Sequence, residues 1–364
     1  YSDIWVSAAL AGVAASFSSG RGGADFGALS DLPTRSEAAI KGSAYMVAWM
    51  YVIREFEDAI DDCVSCDSGL CNEHSADASV HAWDEGVAFY AGSLEGPAGS
   101  TDGVMAYRLA EKRCANFKTC GSSGKQAEGM SQVNYDLSVL FLEGKQQLLA
   151  GDCAAVRPTV DKIVSKMTTP LVQGTLRYAF KVGQQGVSDL ESKAEGAVFA
   201  ASVLPLVHHC DTLSGRSDAA TIYEPMKIGS TATGYWPDVK AAFERNYGCL
   251  GITCAEVGGI LDANGVKYEM GASPCTGAEP IYAPIAGYLP GSDVTEHAKI
   301  DLDQKEMAVA LAKGDYAAAT KAYKQGGNSM KSGGARTLQG FSLSAKSKMY
   351  DGCHGCPYKH FSMF

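Results

Sequence analysis

The sequence predicts an all-α fold: two related helical bundles joined by irregular loops that disulfides pin. Long stretches carry helix-forming residues at helical spacing. Strand-like alternation is scarce, with Val266-Lys267-Tyr268-Glu269 the best short candidate. Twelve cysteines punctuate polar segments between the helical stretches, as in Cys63-Val-Ser-Cys66-Asp-Ser-Gly-Leu-Cys71.

In chain order, residues 4–20 are uncharged, rich in Ala, Ser and Gly, and too short to span a bilayer. A turn follows at Ser19-Gly20-Arg21-Gly22-Gly23. Helical patterning then covers roughly 34–62, 81–95, 101–118, 128–151, 155–182, 188–211, 237–246, 300–313 and 315–326. Gly333-Gly334 marks a late turn. A weak internal repeat runs through these helices. Trp83-Asp84-Glu85-Gly86-Val87-Ala88-Phe89 resembles Lys193-Ala194-Glu195-Gly196-Ala197-Val198-Phe199, and Tyr51-Val52-Ile53-Arg54 is loosely like Gly174-Thr175-Leu176-Arg177. The expected division is therefore 1–182 and 183–364, with a Pro/Gly/Cys-rich insertion at about 212–295 in the second copy, the alternative being one compact unit.

The chain has 364 residues, 46% hydrophobic and 20% charged, which suits a globular protein and argues against disorder. Its 31 basic and 41 acidic residues leave a net charge of -10. Such a surface repels nucleic acid and anionic lipid and concentrates cations. No basic stripe with interleaved aromatics is present, which excludes nucleic-acid binding. The even cysteine count and its loop placement predict disulfides formed in an oxidising compartment. The chain opens at Tyr1 and not at a methionine, from which a removed leader or a trimmed terminus is expected. No stretch reaches transmembrane length, so a soluble exported protein is expected.

The most unusual segment is Tyr51-Val-Ile-Arg54-Glu55-Phe-Glu57-Asp58-Ala-Ile-Asp61-Asp62. On a helix, Tyr51, Glu55, Asp58 and Asp62 share one face. Like charges three and four residues apart repel, and acids near a helix C-terminus also oppose the macrodipole. A bound cation would relieve both costs; the plainer reading is a solvated acidic helix end. In His81-Ala-Trp83-Asp84-Glu85-Gly86, His81 and Glu85 lie one turn apart and can meet one ion. Gly86 inside this helix costs about 1 kcal/mol relative to Ala and points to close approach by a neighbour or a ligand. These carboxylates, a phenol and an imidazole suit a hard cation such as Fe³⁺. Arg54 is the candidate holder of a small anion that completes the shell. Tyr178, Glu195 and His209, in the second copy, form the alternative metal set.

Other motifs are weaker. His208 and His209 are adjacent and point to different helix faces. Cys353-His354-Gly-Cys356-Pro-Tyr-Lys-His360 looks like a zinc knuckle but lacks a second pair, so disulfides are expected there. Gly121-Ser-Ser-Gly124-Lys125 is too short for a P-loop, and no HExxH, EF-hand, GxSxG or dinucleotide fingerprint occurs.

The stretches Arg54-Glu55-Phe56-Glu57-Asp58-Ala59-Ile60-Asp61-Asp62-Cys63 and Trp83-Asp84-Glu85-Gly86-Val87-Ala88-Phe89-Tyr90-Ala91-Gly92-Ser93 resemble the iron-assimilating proteins of green algae. These are the low-iron-inducible or high-CO2-inducible periplasmic proteins, a family related to the phytotransferrins. The resemblance implies a secreted protein of the periplasmic space or cell surface that captures Fe³⁺ and assists its uptake. It also implies carbonate or bicarbonate as a co-bound anion, membrane iron-uptake components as partners, and no enzymatic activity. The site residues come from spacing alone: Tyr51, Glu55, Asp58, Asp62, His81 and Glu85 for the metal, Arg54 for the anion. Two rivals stand beside this reading. One is a carboxylate-site metal oxidase or peptidase-like helical enzyme, though the paired Glu-x-x-His motifs of a di-iron site are absent. The other is a structural wall protein whose acids only solvate its surface.

Overall fold

The computed structural model describes residues 1–27, 32–65, 78–121, 130–275, 294–331 and 333–345. Among them the chain is helical almost throughout, and its strands are two short antiparallel pairs. Two compact units divide at Ala278/Glu279. Position 182–183, the joint expected between repeats, lies inside the first unit.

The first unit begins with α1 (Ser2–Ala11) and the pair β1 (Ala14–Ala15) and β2 (Ala24–Asp25). A nearly continuous rod follows: α2 (Leu32–Gly42), a π-helical segment (Ser43–Ala48) and α3 (Trp49–Ser65). Next come α4 (Ser79–Ala91), α5 (Ala106–Phe117), α6 (Gln132–Leu149) and α7 (Cys153–Tyr178). The last are α8 (Leu190–Ser214), α9 (Asp218–Met226), α10 (Trp236–Leu250) and α11 (Cys254–Val257). Each long periodic segment read from the sequence is a helix. The expected strand is reduced to one antiparallel bridge, Leu261 to Tyr268. In the first unit sequence reading missed α1, α9 and the short α11, the last two inside the supposed insertion.

Helix α7 is the hub, packed against α3, α5, α6, α8 and α10. Every residue from Met167 to Leu176 is buried, including Thr168, Thr169, Gln173 and Thr175. Buried polar groups need internal partners. The Thr168 and Thr175 hydroxyls donate to the carbonyls of Val164 (2.8 Å) and Leu171 (2.9 Å), and the Gln173 amide donates to that of Val257 (2.9 Å). Side-chain caps set the helix starts: Ser131 accepts from the Asn134 amide at 3.0 Å and Asp189 from Ser192 at 2.7 Å.

Helix α4 is wedged between α3 and α6 by two glycines. A Cβ at Gly86 would stand 2.8 Å from the Phe56 ring. One at Gly144 would fall on the Trp83 ring. Fully buried Trp83 also donates its indole N–H to the Phe141 carbonyl at 3.0 Å. The neighbour that Gly86 admits is therefore Phe56. Gly196 occupies a similar seam, where a Cβ would stand 3.1 Å from that of Tyr178.

All eight cysteines of the described residues are paired: Cys63–Cys153, Cys114–Cys120, Cys210–Cys249 and Cys254–Cys275. Cys63–Cys153 spans 90 residues and ties the end of α3 to the start of α7. A loop that long restricts the unfolded chain by about 4–5 kcal/mol in the chain-entropy account. Cys66, Cys71, Cys353 and Cys356 lie outside the described residues. Among the described residues no helix is long and apolar enough to cross a membrane.

The second unit contains α12 (Thr295–Ala298), α13 (Ile300–Ala312), α14 (Tyr316–Gln325), the pair β3 (Met330–Lys331) and β4 (Gly334–Ala335), and α15 (Leu338–Ala345). Helices α13 and α14 form a hairpin, with Asp315 capping α14 through the Ala318 amide at 2.9 Å. Asp303 is fully buried and accepts from the Asn328 side chain at 2.7 Å.

Gly144→Ala should lower stability by about 1–3 kcal/mol, because the methyl overpacks against Trp83. Gly248 faces open space in α10, and Gly248→Ala should be neutral or stabilising by up to about 1 kcal/mol. Urea unfolding of both variants decides it; equal midpoints would contradict the wedge.

Candidate metal centre

Helices α3 and α4 pack antiparallel, with Tyr51 edge-on to Phe89 at 5.4 Å and Phe56 seated on Gly86. That register sets Glu55 level with Glu85 and Asp58 level with His81. Each helix brings its own donors together through i, i+4 spacing. On α3 the Tyr51 phenol donates a hydrogen bond to the Glu55 carboxylate. On α4 His81 Nε2 lies 3.5 Å from Glu85 Oε1. Glu55 is only 5% exposed and Tyr51 is 52% exposed, so the seam runs from a buried carboxylate outward to an open phenol. The hydrogen bond to Glu55, then the charges of Glu55 and Glu85, hold the Tyr51 phenol above the ordinary tyrosine range. Three oxygen donors and one imidazole thus lie along the seam between α3 and α4.

The remaining candidates are differently engaged. Arg54 pairs with Asp58 at 2.7 Å on the exposed side of α3. An anion held by Arg54 would therefore compete with Asp58, and the two cannot serve freely in separate roles. Asp62 sits one turn beyond Asp58 and has a partner of its own. Two acids of the same motifs are structural ties: Glu57 pairs with Arg157 of α7, and Asp84 with Lys145 of α6 at 3.0 Å. Among the described residues no three His, Cys, Asp or Glu side chains converge on one point. The groove offers two facing pairs and not a closed cage.

The alternative set does not assemble. Glu195 and His209 stand 14 residues apart on the continuous helix α8, a separation of about 21 Å along its axis. His209 is exposed. Glu195 is buried and accepts from Lys41, which also meets Glu37 at 3.1 Å. Tyr178 is stacked on Phe199 at 5.8 Å. It borders a cleft of about 320 Å³ with Lys193, Gly196 and Tyr235, which no α3 or α4 donor lines.

Sequence reading missed the basic surroundings of Glu195. Arg113 of α5 and Arg177 of α7 both act on it electrostatically. Its only local trace is the run Arg108-Leu-Ala-Glu-Lys112-Arg113, which reads as an ordinary charged helix face.

The Tyr51–Glu55 pair has a direct signature. Difference titration of the parent against Tyr51→Phe, followed at the phenolate absorbance, should show Tyr51 ionising above about 10. Glu55→Gln should bring that ionisation down. A parent Tyr51 that ionises at or below the ordinary value would contradict the pairing.

Residues 269–351 match a family model described as low iron-inducible periplasmic protein. The matched segment covers neither α3 nor α4, whose motifs carry the resemblance read from the sequence. No curated protein and no solved structure matches the chain. The matched segment is similar to the low iron-inducible periplasmic proteins, the same family that the α3 and α4 motifs resemble.

Proposed function

We propose that this protein captures ferric iron outside the cytoplasm and delivers it to a membrane uptake system, without catalysing a reaction. The observation that carries the proposal is the facing of Tyr51–Glu55 on α3 and His81–Glu85 on α4. Phenolate and carboxylate oxygens with one imidazole form a donor set suited to a hard trivalent cation. The matched family's description, low iron-inducible periplasmic protein, supports an extracytoplasmic role in iron acquisition.

Iron entering the groove displaces the phenol proton that Glu55 accepts. It also replaces the mutual repulsion of Glu55 and Glu85 with attraction to one centre. Asp58 joins only by leaving Arg54, and the freed guanidinium then faces a carbonate or bicarbonate, as the likeness to phytotransferrins implies. Release follows from acid. Protons compete for the carboxylates, the imidazole and above all the phenol, whose affinity for its proton is already raised. Metal affinity therefore falls as pH falls.

Competition against a chelator at neutral pH tests the site. His81→Ala and Glu85→Ala should each weaken ferric binding by at least about tenfold. Both groups are half-exposed, so the metal-free melting temperature should stay within about 4 °C of the parent. Variants that hold iron as tightly as the parent would move the site away from α4.

A further inference from the structure

We propose that the first unit carries a second ligand site, for a small tetrahedral oxyanion of the phosphate class, enclosed by α2, α5, α7 and α8. Its recognition residues are Arg113 and Arg177. The site shares no residue with the α3–α4 groove and does not depend on the ferric reading.

Arg113 is 9% exposed, yet its Nε and Nη1 have no hydrogen-bond partner. The Nε atoms of Arg108 and Arg177 are likewise buried and unpartnered. A buried guanidinium without acceptors is among the costlier arrangements a fold can hold. Here the cost is compounded, because Arg113 and Arg177 repel one another. Burial and that repulsion push the Arg113 guanidinium down to about 10. Lys112, at the exposed edge of α5, is lowered by burial and by Arg108, Lys41 and Arg113.

The local acids balance these cations only in part. Glu195 attracts both Arg113 and Arg177 at a distance, but its carboxylate bonds to Lys41, which also meets Glu37. Asn116, with its amide turned to satisfy both ends, accepts from Arg177 Nη1 at 3.1 Å and leaves Nε free. Glu111, on the same helix as Arg113, is spent on Ser131 and Asn134 at 2.9 and 2.6 Å. Arg113 and Arg177 are thus neighbouring, incompletely paired guanidinium groups in the interior of a chain whose net charge is -10, with Lys112 beside Arg113 on α5.

The side chains around Arg113 are held by packing. Arg113 lies over the Phe199 ring at 6.0 Å, and Phe199 is stacked between Tyr45 (5.3 Å) and Tyr178 (5.8 Å). Gly174 lets the ring lie against α7, since a Cβ there would stand 2.5 Å from it. Guanidinium forks held in place by packing recognise oxygens in pairs. Forks on two different helices call for oxygens outside one plane, which a tetrahedral dianion supplies. A trivalent metal is repelled from the same spot.

Calorimetric titration of the full metal-free chain with inorganic phosphate tests the inference, with sulfate, bicarbonate and chloride in parallel. Phosphate should bind at one site per chain, persist in tenfold excess chloride and raise the melting temperature. Arg113→Gln and Arg177→Gln should each weaken it at least tenfold. If Arg113→Gln does not fold, the less deeply buried Arg177 and the phosphate-dependent melting of the parent still decide. Binding of bicarbonate without phosphate would overturn the tetrahedral assignment. No heat and no melting shift would show that water satisfies the guanidinium. Undiminished phosphate binding by Arg177→Gln would place the anion elsewhere.

Discussion

Phe56 can lie against the backbone of α4 only because position 86 lacks a Cβ, and that contact sets the distance between the two acidic helices. Trp83 presses α4 from the other side into the space left by Gly144 and fixes its rotation through the bond to Phe141. With rotation and register set, i, i+4 spacing does the rest. Tyr51 meets Glu55, His81 meets Glu85, and the two pairs lie along one seam. The Cys63–Cys153 bridge anchors the far end of α3 to the hub helix, so the acidic end of α3 is held although its charges repel.

Charge is sorted in an unusual way. The acids lie along the outer seam of α3 and α4, in keeping with a net charge of -10, while arginines gather inside the same unit. Each arrangement is costly alone, since like charges accumulate in both. The costs point to opposite ligands, a cation for the outer groove and an anion for the inner pocket. Glu195 shows why their roles are not exchanged. It matches Glu85 in the sequence repeat, yet Lys41, Arg113 and Arg177 surround it and make its neighbourhood hostile to a metal.

Much of the helical architecture was legible because long periodic segments bury one face, and burial writes the period into the sequence. The α3 and α4 donors were legible for the same reason, being spaced within single helices. Helix α1 escaped because it is uncharged and Ala-rich, and α9 because it is short and carries Pro225 near its end. Pairings between distant positions left no local mark. The partner of Cys63 is 90 residues away, and the basic pocket draws on residues from Glu37 to Glu195. The alternative set of Tyr178, Glu195 and His209 failed on helix length alone. Arg54 was read as a free anion holder because its i+4 partner, Asp58, had already been assigned to the metal.

The most direct measurement of the central claim is an anomalous-scattering map at the iron edge, from crystals grown with ferric iron at neutral pH. The account predicts one strong peak between α3 and α4, within bonding distance of the Tyr51 phenolate, Glu55, Glu85 and His81. A peak elsewhere in the fold, or a groove left empty while the protein binds iron in solution, would contradict it.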